Sequence, residues 1–267
     1  MPIADLHIHS RFSRATSKEG DAPHLDLWAR RKGIAIVGTG DATHPAWRAE
    51  LREMLCEDGS GLYSLRPELR LPDAVQTAPP RFVLSSEISC IYKQDGRTRK
   101  IHVVFLHSSL DAADRFSALL ERIGNIRSDG RPILGLSAHD LLSLALEADP
   151  DVVCIPAHIW TPHFSLFGAF SGFDRLEDCF GDLSGHIHAL ETGLSSDPPM
   201  NWRVSALDKY TLVSNSDCHS PAKLGREANL IAPAEDFAAL RRIIETGVGF
   251  EGTIEFFPEE GKYHMDG

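Results

Sequence analysis

Short runs of β-branched and aliphatic residues alternate with amphipathic stretches from one end of this 267-residue chain to the other. That alternation is the strongest constraint on the fold. A strand pattern followed by a helix pattern, many times over, belongs to an α/β protein and not to an all-helical or all-strand one. The apolar runs predict strands over Ile3–Ile8, Ile34–Thr39, Phe82–Glu87, Ile101–Leu106, Val152–Ala157, Ile187–Glu191, Thr211–Asn215 and Asn229–Ile231. The amphipathic stretches predict helices over Pro23–Lys32, Pro45–Cys56, Ala112–Ile123, Ala138–Glu147, Asp174–Phe180, Trp202–Lys209 and Ala234–Glu245. At this length the repeats suit one closed or nearly closed barrel, with an open doubly wound sheet as the alternative. Ser137 is placed to cap a helix N-terminus, Gly33 and Gly247 to end helices in a left-handed turn, and Asp95-Gly96 to make a hairpin. Glu57–Pro80 and Trp160–Gly172 read as long irregular loops, which inside a compact domain are often functional.

The ends of the apolar runs carry the chemistry. His7 and His9 close the first, Asp41 follows the second, Glu87 ends the third and His102 opens the fourth. His158 ends the fifth, Glu191 the sixth, and Asp217 and His219 follow the seventh. In a barrel of parallel strands the C-terminal ends share one rim, so these residues converge on one pocket. His-x-His on a strand puts both imidazoles on one face. Imidazole and carboxylate together suit zinc, manganese or iron, and His7, His9, Asp41, Glu87, His102, His158, Asp217 and His219 suffice for two or three ions. Glu87 is the natural bridge, because a two-oxygen ligand readily spans two cations. His24, His107, His139, His186, His188 and His264 lack a ligand-bearing context, and His44 and His163 lie near the expected rim.

Several function classes are excluded. The five cysteines are scattered and form no Cys-x-x-Cys pair, against a disulfide framework or a cysteine zinc finger. No apolar run is long enough to cross a bilayer, and Met1–Asp5 lacks the basic and apolar regions of a signal peptide, so a cytoplasmic protein with no membrane partner is expected. A formal net charge of −11 disfavours a protein that simply coats nucleic acid, though not an enzyme that handles phosphates through metals.

Taken together, Asp5-Leu6-His7-Ile8-His9-Ser10, Glu87, His102, Ala157-His158 and Ser216-Asp217-Cys218-His219 resemble the PHP (polymerase and histidinol phosphatase) superfamily of metal-dependent phosphoesterases. Longer runs are similar to the endonuclease Q group of DNA-repair enzymes within it. These are residues 7–17, Gly38-Thr39-Gly40-Asp41-Ala42-Thr43-His44-Pro45, residues 190–199 and residues 220–229. The resemblance implies a distorted (β/α)7 TIM-like barrel with two or three divalent metal ions at the C-terminal strand ends. Zinc is the first choice, with manganese, magnesium or iron as alternatives. It also implies cleavage of DNA 5′ to deaminated bases (deoxyuridine, deoxyinosine, deoxyxanthosine) and at abasic sites. On this likeness His7, His9, Glu87 and Asp217 match a first metal site, Glu87, His102 and His158 a second, and His219 with Asp41 a third. Ser13, Ala15 and Ala42 stand where many members carry a further ligand. Residues 1–257 correspond to the catalytic barrel, and residues 258–267 to a tail or the start of a further C-terminal domain.

The resulting mechanism is in-line attack of hydroxide on phosphorus, with Asp217, His219, Glu87 and Asp41 as the catalytic set. Ser10, Arg11, Ser13 and Arg14 follow the first strand directly and are placed to meet phosphate oxygens, as is Arg226. Trp160 in the long loop is placed to stack on a base extruded from the duplex. A phosphatase acting on histidinol phosphate or a nucleotide is the competing enzyme, and a non-catalytic metal-binding module the competing class.

Overall fold

The computed structural model describes residues 1–75 and 77–264. Its elements, in chain order, are β1 (Ile3–Asp5), α1 (Ala22–Lys32), β2 (Ile34–Gly38), α2 (Pro45–Met54), β3 (Leu55–Cys56), β4 (Ser64–Leu65), β5 (Arg81–Gln94) and β6 (Arg97–His107). There follow α3 (Leu110–Glu121), β7 (Ile133–Leu134), α4 (Ala138–Ala148), β8 (Val153–Pro156), α5 (Leu176–Phe180) and β9 (Ala189–Glu191). Last come α6 (Pro198–Asn201), β10 (Thr211–Val213), β11 (Ala228–Ile231), α7 (Phe237–Thr246) and β12 (Phe250–Ile254).

The main sheet runs β12-β11-β1-β2-β5-β6-β8, with β7 on β5. It curls, and the short parallel pair β9–β10 continues it through a Cys154–Ile187 bridge. The ring comes back on itself where residues 217–218 pair with residues 7–9: Asp217 N–H donates to the His7 carbonyl at 2.9 Å and His9 N–H to the Cys218 carbonyl at 3.0 Å. The fold is therefore α/β and barrel-like, as the alternation predicts, but the strands are not all parallel. β6 runs antiparallel to both β5 and β8, and β11 antiparallel to β1. No helix separates β5 from β6. Asp95 and Gly96, both at positive φ, turn the chain directly back, as Asp-Gly allows.

That hairpin corrects two sequence expectations. β5 pairs with the end of β2 at Gly38–Val83 and then runs on to Gln94. Glu87 and His102 thus lie inside long strands rather than at their ends. They still face the same pocket, because Ser89 pairs with His102 and residues 87 and 89 share one face of β5. A further difference lies at 202–209, where no α-helix forms. Asp197 caps Pro198–Asn201 by accepting from Met200 N–H, and the two prolines preset helical φ ahead of the predicted stretch. Ser137, Gly33 and Gly247 cap their helices as expected. Three apolar clusters fill the barrel and its helix layer, around Phe105 and Phe116, around Trp47 and Phe82, and around Leu6 and Ile155. Near the C-terminus Gly261 packs on the Leu194 carbonyl and Tyr263 N–H donates to Ser195 Oγ, so 258–264 lies back against the barrel. Residues 265–267 of the expected tail fall outside the described residues. No helix among the described residues is long and apolar enough to cross a membrane.

The region joining β10, β11 and β12 yields a stability prediction. Glu227 and Glu255 both lie against the single Ser214 hydroxyl, at 3.0 and 3.2 Å. One hydroxyl proton cannot serve two carboxylates. Burial, reinforced by the Glu255 charge, pushes Glu227 up to about 9, and burial pushes Glu255 up to about 7. A carboxyl raised on folding holds its proton in the native state after the unfolded chain has lost it. Its stabilising contribution is therefore complete at acid pH and is lost as pH rises towards the folded value. The melting temperature should fall from pH 6 to pH 9, and Glu227→Gln should flatten that slope and melt higher at pH 9. Parallel melting curves for the two proteins across this range would refute it.

Candidate metal centre

His7 and His9 follow β1 on either side of the Ile8–Cys218 bridge, and both rings enter the barrel mouth. His9 Nε2 lies 3.1 Å from Glu87 Oε2 and 3.1 Å from Asp217 Oδ1. His7 Nε2 is 3.4 Å from the same Glu87 oxygen and 3.8 Å from the same Asp217 oxygen. The other Glu87 oxygen, Oε1, faces His102 Nδ1 at 2.7 Å and His158 Nε2 at 3.3 Å. The chain thus forms two groupings, His7–His9–Glu87–Asp217 and Glu87–His102–His158, each with its ligand atoms within 4.8 Å of one another. One carboxylate belongs to both. His7 Nε2, His9 Nε2 and Asp217 Oδ1 are buried with no hydrogen-bond partner. Orphaned polar atoms of this kind are costly unless something outside the protein satisfies them, and a divalent cation fits this nitrogen–oxygen donor set.

The outward edges of the rings are held by carboxylates. Glu191 lies 3.0 Å from His7 Nδ1 through each oxygen and also accepts from His158 N–H and Asn215 Nδ2. Asp41 lies 3.1 Å from His9 Nδ1 and accepts from Ser10 N–H, Ser10 Oγ and Ser13 Oγ. A carboxylate on Nδ1 keeps a proton there, so that Nε2 is the nitrogen aimed at the centre and the one that would give up its proton to ligate, the usual arrangement behind a metal-binding imidazole. Burial opposes charge on His7 and His9. The Glu191 and Glu87 charges at His7, and Asp217, Asp41 and Glu87 at His9, outweigh it and lift both well above the ordinary histidine range. His102 goes the other way, lowered by burial to about 4. Burial alone would raise Glu87, yet His102, Arg131 and His7 hold it well below the usual carboxylate range.

Backbone strain concentrates here. Asp41, His158 and Asp217 sit at φ +49°, +30° and +45°, a region side-chain-bearing residues seldom adopt and which clusters at functional sites. Gly193 makes the His158 position possible, since a Cβ there would stand 2.5 Å from His158 Cβ.

The other residues singled out from sequence fall as follows. Asp41 stands behind His9 rather than among the converging atoms. His219 is half-buried at the rim, its ring 4.6 Å from that of His9 and its Nδ1 2.9 Å from the Asp217 carbonyl. Ser10 and Ser13 donate to Asp41, so their hydroxyls are spent on orientation. Arg11 grips Glu50 through both carboxylate oxygens, at 2.7 and 2.8 Å, and reaches Asp21 as well. Arg14 is exposed and pairs with Asp129. Arg226 binds the Ser216 and Asp217 carbonyls, holding the strained turn from behind. Trp160 donates to Asn201 Oδ1 and packs on Phe167, and it is not among the residues lining the cavity at the centre. The sequence reading left out Glu191 as a partner, Asn215 and Arg131. Arg131 Nη1 lies 3.1 Å from Glu87 Oε2. A cavity of about 460 Å³ opens onto the centre, lined in part by His102, Arg131, His158, Phe164 and Tyr263.

No family model matches the chain. It is 33% identical over 246 residues to the uncharacterized protein YqxK of Bacillus subtilis (strain 168), covering 88% of this chain and 59% of that one. Among solved structures it superposes with a TM-score of 0.81 on the lesion-specific endonuclease PfuEndoQ from Pyrococcus furiosus, at 32% identity over 98% of this chain and 60% of that chain. Endonuclease Q in complex with a 27-mer duplex bearing an abasic lesion at its active site gives 0.80 at 32% identity, with 98% and 62% coverage. A protein of Bifidobacterium adolescentis assigned as a metal-dependent phosphoesterase gives 0.52 at 18% identity, over 90% of this chain and 94% of that one, and speaks to the fold alone. The chain spans about three-fifths of the length of YqxK and of the two endonuclease structures.

Proposed function

We propose that this chain, which matches the PHP-type phosphoesterases in fold and stands close to endonuclease Q, is a metal-dependent phosphodiesterase that cuts DNA, with deaminated bases and abasic sites as its targets. The observation that carries the reading is Glu87, whose two oxygens serve two separate histidine-rich groupings in a chain that superposes over nearly its whole length on a lesion-specific endonuclease. His7, His9, Glu87 and Asp217 would hold one divalent ion and Glu87, His102 and His158 another. The nitrogen-rich donor set suits zinc, with manganese or iron next. Such a pair supplies, when bound, a nucleophile at neutral pH and charge neutralisation at phosphorus.

The rest is done by the chain itself. Glu191 and Asp41 keep the imidazoles aimed inward. Arg226 holds the 216–217 turn so that the Asp217 carboxylate stays in the mouth. His219, at the rim beside His9, would protonate the leaving oxygen in its protonated form, which burial disfavours. Of the aromatic residues in the 160–172 loop, Phe164 is the one over the site, its ring 4.6 Å from that of His102, and it takes the base-contact role in place of Trp160. The barrel corresponds to residues 1–257.

The test is elemental analysis of the purified protein, followed by cleavage assays on single-stranded and duplex DNA carrying deoxyuridine, deoxyinosine or an abasic site. Asp217→Asn serves as control. At least two metals per chain and cleavage lost in the control support the reading. Fewer than two metals with no effect of the substitution would sink it. Turnover of phosphomonoesters with lesion DNA untouched would make the protein a phosphatase instead.

A further inference from the structure

We propose that Arg131 is the residue that binds the scissile phosphate. This deepens the phosphodiesterase reading and rests on it. The argument begins with the other cations. Arg11 is taken up by Glu50 and Asp21, Arg14 by Asp129, and Arg226 by two backbone carbonyls. None of them has its guanidinium in the cavity over the metal centre. Among the described residues lining that cavity, the cationic side chains other than histidines are Arg131 and Lys262.

Arg131 is the one held against the centre. Its Nη1 touches Glu87, the shared carboxylate, while among the described residues Nε and Nη2 have no partner within the protein. Those nitrogens are not among the buried unpartnered atoms, so they are solvent-accessible, on a residue that lines the cavity. Two free donors on a planar fork suit two oxygens of one phosphate.

The position is also rigid. Pro132 follows, and its carbonyl accepts from Ser89 N–H on β5 at 3.0 Å. Gly130 donates to the Phe12 carbonyl at 2.9 Å, and a Cβ there would come within 2.3 Å of the Asp41 carboxylate. Arg131 N–H donates to Asp129. The segment is pinned on both sides to the strand and the loop that carry Glu87 and Ser13, so the guanidinium is preorganised beside the donor set.

The experiment uses Arg131→Ala and Arg131→Lys beside the wild type, with folding checked by circular dichroism. Binding of a fluorescent single-stranded 15-mer containing deoxyuridine is followed by anisotropy in EDTA across a KCl series. KM, kcat and zinc content are measured on the metal-loaded proteins. Arg131→Ala should weaken binding and raise KM by about 10- to 100-fold, the worth of one charged hydrogen-bonding pair. Its plot of log K against log[KCl] should be shallower by about 0.7, one phosphate contact on a single strand. Arg131→Lys should keep the salt slope and recover part of the affinity, and zinc content should equal wild type in both. An unchanged salt slope in Arg131→Ala would overturn the proposal, as would zinc lost together with DNA binding, which would reduce Arg131 to a support for Glu87. If the wild type neither cleaves DNA nor binds the 15-mer, the phosphodiesterase reading itself falls, and this role with it.

Discussion

Replacing Glu87 by glutamine is expected to lower phosphodiester cleavage by about 10³-fold, the size of effect that follows removal of one preorganised charge-stabilising group from a site. The substitution preserves shape but replaces one carboxylate oxygen with an amide nitrogen, which cannot ligate a cation. Because each oxygen of Glu87 faces a different grouping, the amide nitrogen takes a donor from one and the lost negative charge weakens both. Asp217→Asn touches the first grouping alone and His102→Asn the second alone. Glu87→Gln should therefore retain less bound metal than either. Metal binding stabilises the native state by mass action, so added zinc should raise the melting temperature of the wild type. That rise should shrink in Asp217→Asn and nearly vanish in Glu87→Gln. Elemental analysis with zinc-dependent melting curves checks the order. A Glu87→Gln protein that keeps the full metal complement would show that the carboxylate does not bridge.

Most of the converging set was legible in the sequence, and the reason is specific. Strand-end residues of a barrel share a rim whatever the intervening helices do, so His7, His9, His158 and Asp217 converge by topology alone. Glu87 and His102 reach the same place by another route. The Asp95-Gly96 turn marks the hairpin, but nothing local states how far β5 overruns β2, and hence that these two residues stand within long strands. The arginines pair elsewhere than their sequence positions suggest, for a related reason. Arg11 and Arg14 are near the site in sequence, but their fate is decided by Glu50, Asp21 and Asp129, which only the fold brings to them. Arg131 carried no signal, because it sits in an irregular segment and acquires its position from Ser89, Phe12 and Asp41. Local pattern locates ligands that ride on regular strands. It does not locate cations whose placement depends on pairing between distant loops.

Glu191→Gln is expected to weaken zinc binding by about 10- to 100-fold without removing any of the converging ligand atoms, the range found when a carboxylate behind a metal-binding imidazole is lost. The two Glu191 oxygens meet three donors from three segments: His7 Nδ1, the His158 backbone N–H and Asn215 Nδ2. An amide offers one acceptor oxygen and one donor nitrogen, so at least one of those donors must face another donor. If His7 turns to escape, its Nε2 leaves the first grouping. If the 158 backbone moves, a residue already held at positive φ shifts, and the second grouping loses His158. Either way the effect exceeds what one lost neutral hydrogen bond would bring. Asp41→Asn makes the contrast, because Asp41 supports His9 and touches no residue of the second grouping. Competition titration with a chromogenic chelator should show both zinc equivalents weakened in Glu191→Gln but only one in Asp41→Asn. Equal zinc affinity in Glu191→Gln and wild type would mean that the orientation of His7 does not matter to the centre.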